Sequence, residues 1–247
     1  MTTSATQRTR PRPPALDRAT AYGMAAVEYD RILALLRSLG PDDWTRPTEC
    51  PGWEVRAMAA HVLGQAEMAV SLRETLRHAR VAAQGGVDAL TALQVRERAD
   101  LDGGRIVDRL DAVSARAVRG RSRLARFLGR LPSSEVVGST REWWQLRYVT
   151  DVILTRDTWM HRMDIARATG RQPRLTADHD GLLVADVVAE WAQRHGRPYR
   201  LRLTGPAGGE WTSESGGEEI EMDAVDFCRL LSGRGAGEGL LGQQVPF

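Results

Sequence analysis

The segment Asp157-Thr-Trp-Met-His161 places a carboxylate and an imidazole four residues apart in a stretch with helical periodicity. Four residues make about one helical turn, so both side chains lie on the same face. That face can be followed at spacings of three and four through Leu146, Thr150, Ile153, Asp157, His161, Asp164 and Ala168. It begins apolar and then carries three ionisable groups. Burying an unpaired charge is costly, so these groups need partners if the face points into a core.

A divalent cation would satisfy the Asp157 carboxylate and the His161 imidazole together. Spacing alone leaves a second interpretation open, in which the two side chains form a hydrogen bond on a half-exposed helix. The role of Asp164 also has two interpretations. It could support the metal ligands from one turn away, or it could form a salt bridge with Arg167 or Arg171.

Outward from this segment, the sequence predicts a mainly α fold with a four-helix bundle. Apolar residues recur at helical spacing in residues 16–39, 54–79, 87–131 and 141–169. Gly40-Pro41, the Gln84-Gly85-Gly86 run and a loop at 132–139 separate these segments, and Gly103-Gly104 could divide the third. Short connections between long amphipathic helices favour a bundle.

The C-terminal part has a different pattern. We expect a helix at 178–194, strands at 199–204, 210–212 and 218–222, and a short helix at 223–231. The predicted organisation is therefore a disordered leader at 1–14, the bundle at 15–172 and a small α+β domain at 173–247.

Composition excludes several classes of function. All 34 basic residues are arginine, but 32 acidic residues are interspersed with them and the net charge is only +2, which argues against nucleic-acid binding. No apolar run approaches the roughly 18 residues of a membrane span. Cys50 and Cys228 are too far apart in sequence to suggest a disulfide framework, so a cytoplasmic location is expected.

His61 is the candidate for a third metal ligand. It flanks the apolar stripe of the second predicted helix and should point into the bundle, where facing helices often supply metal sites. Two imidazoles and one carboxylate leave open positions on zinc or a similar ion, which is a catalytic arrangement. His78, His179 and His195 fall near helix ends, where exposed or capping positions are expected.

Several motifs resemble the mycothiol-dependent maleylpyruvate isomerase family, which belongs to the DinB/YfiT-like metal-binding four-helix bundles. Its N-terminal signature resembles Thr48-Glu-Cys-Pro-Gly-Trp53 followed by Ala60-His61, and its second resembles the segment from Asp157 to Ala166. Its small C-terminal domain is similar in the stretches Leu203-Thr-Gly-Pro206, Gly209-Glu-Trp-Thr212, Asp226-Phe-Cys-Arg-Leu-Leu-Ser-Gly-Arg234 and Val245-Pro-Phe247.

The resemblance implies a divalent metal, usually zinc, bound by His61, Asp157 and His161. Many members carry glutamate where this chain has Asp157, whose shorter side chain must bring its helix closer. The resemblance also implies a catalytic arginine from the C-terminal domain, with Arg229 and Arg234 as the candidates.

The resemblance also implies a reaction in which mycothiol is the cosubstrate and its metal-bound thiolate attacks a small electrophile. The product would distinguish an isomerase from a transferase. Tryptophans could line the pocket and contact the thiol, Trp53 and Trp159 first, with Trp143 and Trp144 as further candidates. Two alternatives remain open on the same fold: a small-molecule binding or regulatory module, and a natural-product tailoring enzyme without thiol chemistry. The sequence leaves open whether the protein is a monomer or a homodimer.

Overall fold

The computed structural model describes residues 11–137, 140–213 and 216–247. Its helices are α1 Arg18–Arg37, α2 Val55–Val70, α3 Leu72–Arg96, α4 Gly103–Leu128, α5 Leu146–Tyr148, α6 Leu154–Thr169, α7 Leu182–His195 and α8 Ala224–Leu231. Its strands are β1 Pro132–Val137, β2 Thr140–Gln145, β3 Tyr199–Thr204, β4 Gly209–Thr212 and β5 Glu218–Asp223. The predicted mainly α fold is confirmed.

Helices α1, α2, α4 and α6 form the bundle around one apolar core. This core includes Ile32, Met58, Leu63, Ile106 and Ile165, all fully buried. The helix ends follow local chemistry: the Asp17 side chain accepts hydrogen bonds from the backbone at the start of α1, and α6 ends at Gly170 with φ 67°. A π-helical turn, Val149–Ile153, joins α5 to α6.

The second and third predicted helices have different boundaries in the structure. The expected 54–79 helix is interrupted at Ser71, whose φ of −125° and ψ of 124° are extended. Helix α3 then doubles back at Gly86, where φ is 75°. Arg77 Nη1 lies 2.7 Å from Glu97 Oε1, although twenty residues of straight helix would span about 30 Å. The α3 segment is therefore a helical hairpin packed against α2.

A β-hairpin replaces the predicted loop at 132–139 and the first turn of the predicted 141–169 helix. Strands β1 and β2 pair antiparallel from Pro132 opposite Gln145 to Val137 opposite Thr140. Valines and paired tryptophans favour extended backbone, and this local preference prevails over the helical spacing. Residues 138–139 lie outside the described part.

The predicted disordered leader lies mostly outside the described residues, which begin at residue 11. The backbone N–H of Arg12 donates to Trp143 O at 2.8 Å, so the end of this segment contacts the hairpin. No helix in the described ranges is both long and apolar enough to cross a bilayer.

The C-terminal part contains the expected α+β elements. A π-helical turn at Ala177–Gly181 leads into α7, and the sheet order is β4-β3-β5, with β3 antiparallel to β4 and parallel to β5. The C-terminal part has an apolar core of its own. Along β3, Leu201 and Leu203 point into this core while Arg200 and Arg202 point outward. Trp191 and Phe227 fill this core from α7 and α8.

A buried ion network joins this part to the bundle. Arg162 on α6 donates to Glu28 Oε1 at 2.6 Å and to Asp180 Oδ1 at 2.7 Å. His179 Nε2 lies 2.9 Å from Glu28 Oε2. The prediction of a surface position for His179 is therefore wrong, because the π-helical turn carries it against α1. Charges buried here are stable only as long as they stay paired.

Candidate metal centre and adjoining cavity

Helices α2 and α6 bring His61, Asp157 and His161 together. His61 Nε2 lies 3.2 Å from Asp157 Oδ2, and His161 Nε2 lies 3.4 Å from Asp157 Oδ1. One ligand atom from each of the three side chains lies within 4.8 Å of the other two. Both imidazoles are buried, with ring centroids 5.1 Å apart in an edge-to-face arrangement. The geometry is that of two imidazoles and one carboxylate directed at a common point.

The residues before α2 close one side of this cluster. The Trp53 ring centroid lies 5.4 Å from that of His61 and 6.1 Å from that of His161. Pro47 and Glu54 form an isolated bridge that holds the loop in place. Trp53 thus contacts both imidazoles and shields them with an apolar surface, which strengthens electrostatic interactions among the buried groups.

The charge state of the cluster follows from this geometry. Burial acts to raise the pKa of Asp157, but the His161 and His61 imidazoles outweigh it and hold that pKa well below its usual value. Burial acts to lower the pKa of His161, but Asp157 beside it prevails, and that pKa lies well above its ordinary value. Asp157 is therefore an ionised carboxylate, the form that binds metals.

Sequence reasoning missed Gln65 as part of this cluster. Its Nε2 donates to Asp157 Oδ2 at 2.8 Å, and its Oε1 accepts from the Thr158 hydroxyl at 3.2 Å. Gln65 lies four residues after His61 and so shares its helical face, which was the available signal. The hydrogen bond from Thr158 orients the Gln65 amide, and Gln65 Nε2 in turn holds the Asp157 carboxylate.

Asp164 supports His161 from the side opposite Asp157. Asp164 Oδ2 lies 3.3 Å from His161 Nδ1, and the carboxylate accepts from Arg234 Nε at 2.8 Å and Nη2 at 2.6 Å. The alternative of a salt bridge with Arg167 or Arg171 is wrong, because the aspartate points inward from α6. Burial acts to raise the pKa of Asp164, and His161 and Arg234 together bring it below its usual value. A hydrogen bond from Nδ1 to a carboxylate leaves Nε2 free to bind a metal.

The two candidate arginines lie in different places. Arg234, in the turn after α8, reaches Asp164 and lines the cavity described below. Arg229 pairs instead with Glu49 and with Asp226, the latter at 2.9 Å, and does not reach the His61 cluster. The sequence could not separate them, because the choice depends on how α8 docks against the loop before α2.

The Cys50 thiol lies at the edge of the same network. Its Sγ is 3.9 Å from Asp164 Oδ2 and 3.7 Å from Arg234 Nη2. The loop that carries Trp53 is thereby connected to the C-terminal part through Asp164 and Arg234.

A cavity of about 440 Å³ adjoins the cluster, which is large enough for a small organic ligand. His61, Gln65 and Asp157 form part of its wall, and Arg234 and the terminal Phe247 form another part. The remaining wall comes mainly from α3, the β1–β2 hairpin and residues 146–154, with smaller parts of α4, α6 and α8, and is largely apolar.

The tryptophans predicted to line the pocket lie in different places. Trp144 lines the cavity, whereas Trp159 is fully buried and donates from Nε1 to Asp180 Oδ1 at 2.9 Å. Trp159 is two residues from Asp157 on the helix, so it points toward the C-terminal core instead. Trp53 contacts the imidazoles, as described above.

The donor set fits a divalent cation. The ring nitrogens nearest Asp157 are Nε2 in both histidines, while His161 Nδ1 is engaged by Asp164. Buried His61 Nδ1 has no hydrogen-bond partner within the described residues. No contact at Nδ1 requires Nε2 to carry the ring hydrogen, so Nε2 can be the metal-binding nitrogen. His₂–carboxylate sets occur at catalytic zinc sites with open positions.

A second His–carboxylate cluster in the same fold does not fit a cation. Glu28, His179 and Asp180 also converge, but Arg162 and Arg31 already neutralise the two carboxylates. Trp159 Nε1 and the Thr176 backbone N–H donate to Asp180 as well. Cationic partners on the carboxylates make this a structural ion network.

We expect Asp164→Asn to weaken metal affinity about 10- to 100-fold without abolishing it, because the amide cannot hold the His161 imidazole as the carboxylate does. Competition against a chromophoric chelator measures this affinity. Asp111→Asn, which alters an exposed ion pair with Arg37, is the matched control. Unchanged affinity in Asp164→Asn would show that the His161–Asp164 contact does not support metal binding.

Comparisons with known proteins identify a family for this chain. Residues 25–166 match the sequence profile of the family described as mycothiol maleylpyruvate isomerase N-terminal domain. The fold is similar to a crystal structure of the mycothiol-dependent maleylpyruvate isomerase, with a TM-score of 0.57 and 14% identity over 90% of this chain and 91% of that chain. A histidine-to-alanine variant of that enzyme matches with a TM-score of 0.56 and 13% identity over the same shares.

At these identities the two structures show a shared fold. No curated protein sequence gives a significant match. The family match covers more than half of the chain, from α1 into α6, and includes His61, Asp157 and His161. The chain therefore belongs to the mycothiol maleylpyruvate isomerase family of enzymes.

Proposed function

We propose that the chain is a metal-dependent enzyme that uses mycothiol on a small electrophilic substrate, as an isomerase or a thiol transferase. The metal ligands would be His61, Asp157 and His161, and the metal zinc or a similar divalent ion. The observation that carries the proposal is the convergence of these three side chains beside a cavity of about 440 Å³.

A divalent ion held there would supply a Lewis acid that stabilises the thiolate form of a thiol at neutral pH. The chain's own residues would do the rest. Gln65 and Asp164 hold the Asp157 carboxylate and the His161 ring in fixed orientations. Trp53 keeps water from one side of the imidazoles.

Arg234 is the arginine that we propose for the catalytic site. Two of its N–H groups are engaged by Asp164, so it positions Asp164 and places positive charge at the cavity wall. Because Asp164 offsets that charge, the role that we propose for Arg234 is to position Asp164 beside His161. Arg229, paired with Glu49 and Asp226, has no such position and is assigned a structural role.

In the reaction, the thiolate sulfur would form a bond to an electrophilic alkene carbon, and the π electrons would move to the adjoining carbonyl oxygen. The former double bond could then rotate. In an isomerase the electron pair returns, the C–S bond breaks and the thiol leaves; in a transferase a proton is added and the adduct is released. The structural neighbours make maleylpyruvate the first substrate to test.

Two measurements test the proposal. Purified protein should contain about one divalent ion per chain, and mycothiol at about 100 times its Kd should stabilise the metal-loaded protein by about 2.7 kcal/mol, seen as a higher Tm. The same addition to metal-stripped protein is the control and should give a smaller shift. Protein without stoichiometric metal would favour the binding-module alternative. Metal-loaded protein that neither binds mycothiol nor consumes it with electrophiles would exclude thiol chemistry.

A further inference from the structure

Two buried polar side chains on α3 line the cavity and are not used by the proposed chemistry. His78 and Gln94 are each 1% exposed, and both belong to the cavity wall. Within the described residues, His78 Nδ1 and Gln94 Oε1 have no hydrogen-bond partner. Most buried polar atoms in proteins are hydrogen bonded, so two exceptions on one helix of the cavity wall require an explanation.

The hairpin form of α3 explains why these residues are buried. A single straight helix would leave His78 near an exposed end, as the sequence suggested, but the turn at Gly86 folds the second half of α3 back beside the first. Gln94 packs directly on α2 at Gly64, where a Cβ atom would lie only 2.7 Å from the Gln94 Cβ. Gly64 is one helical turn from His61, so Gln94 lies close to the candidate metal centre.

The hydrogen-bonding roles of the two side chains can be assigned. Arg77 Nη2 lies 3.2 Å from His78 Nε2, and a guanidinium only donates, so Nε2 accepts and Nδ1 carries the hydrogen. Burial and the Arg77 charge lower the pKa of His78, which agrees with a neutral ring. His78 therefore offers a donor at Nδ1, and Gln94 offers an acceptor at Oε1.

We propose that His78 and Gln94 form a subsite that binds an uncharged hydroxyl or amide group of the ligand occupying the cavity. This rests on the proposed function, because the ligand is taken to be mycothiol. A hydroxyl or amide both accepts and donates, so such a group has the hydrogen-bonding roles that the two unpartnered atoms require. The subsite would hold the thiol cosubstrate at a point away from its sulfur and orient it toward the centre.

The local charges argue against an anionic group at this position. The Arg77 guanidinium is already engaged by Glu74 Oε2 at 2.8 Å and by Glu97 Oε1 at 2.7 Å. A carboxylate or phosphate would also face the Gln94 carbonyl oxygen, which repels it.

The test is calorimetric titration of mycothiol into zinc-loaded protein. Gln94→Met and His78→Gln should each weaken binding about 3- to 10-fold, the effect of losing one hydrogen bond. His78→Gln keeps an acceptor near Nε2 for Arg77 but loses the donor at Nδ1. His78→Asn, which can place an N–H near the Nδ1 position, should bind more tightly than His78→Gln.

Tm and zinc content separate this role from a structural one. Gln94→Met removes an unpartnered buried acceptor, so ligand-free Tm should be unchanged or higher, with zinc content unchanged. Wild-type affinity in both variants, or an affinity loss accompanied by a lower ligand-free Tm, would overturn the subsite.

A thiol-free probe distinguishes failure of the subsite from failure of the proposed function. N-methylacetamide should shift the His78 ring ¹⁵N resonance in wild-type protein but not in Gln94→Met, and acetate should shift neither. If wild-type protein did not bind mycothiol, the proposed function would fail, and this probe would decide the subsite. No shift with N-methylacetamide would overturn it.

Discussion

His161→Ala is expected to abolish stoichiometric metal binding and activity while leaving the helical signal unchanged. The substitution removes Nε2, which lies 3.4 Å from Asp157 Oδ1, and leaves one imidazole and one carboxylate. Two protein ligands cannot hold zinc in a catalytic site that normally has three. Metal content after dialysis, measured by mass spectrometry, and circular dichroism at 222 nm check this result.

His61→Ala should have nearly the same effect, because its imidazole approaches Asp157 from the other helix. His195→Ala is the control, since His195 at the end of α7 lies in the C-terminal part, where its Nδ1 accepts a hydrogen bond from Arg197 N. A fully metallated, active His61→Ala protein would refute the assignment of His61 as a ligand.

Arg162→Leu is expected to lower the free energy of unfolding by about 3–5 kcal/mol. Arg162 is 1% exposed and is the cation shared by Glu28 and Asp180, at 2.6 Å and 2.7 Å. Leucine fills part of the space but leaves buried carboxylate charge poorly compensated. For a chain of this size Tm should fall by on the order of 10 °C.

Chemical denaturation by urea measures the loss in free energy, and Arg200→Ala is the matched control. Arg200 pairs with Glu219 at 2.9 Å, but both side chains are largely exposed, so about 1 kcal/mol or less should be lost. A loss in Arg162→Leu no larger than this would show that the buried network does not stabilise the fold.

The face of α6 that carries the candidate ligands shows how much local spacing can predict. Asp157, His161 and Asp164 lie on one face because helix geometry alone fixes their relative directions. The position of His61 on α2 followed from its place beside an apolar stripe. Gln65 carried the same signal but was missed, because amides are common on helix surfaces.

Other features depended on contacts distant in sequence. The sequence predicts exposed positions for His78 and His179, because each lies near the end of a helical segment, yet both are buried. The second half of α3 covers His78, and α1 covers His179. Residues 141–145 of strand β2 fall within the segment predicted as helix, because the pairing of β2 with β1 is not visible in local spacing.

The sequence by itself determined the mainly α fold, the α+β elements at the C-terminus and the face of α6 that carries the candidate ligands. Helical and strand periodicities are local, so they can be read without knowing what packs against them. Only the tertiary structure decided that Arg234 rather than Arg229 reaches Asp164, that Trp159 turns away from the cavity, and that His78 and Gln94 share its wall. These choices depend on how helices dock, and docking is set by contacts between residues far apart in the chain.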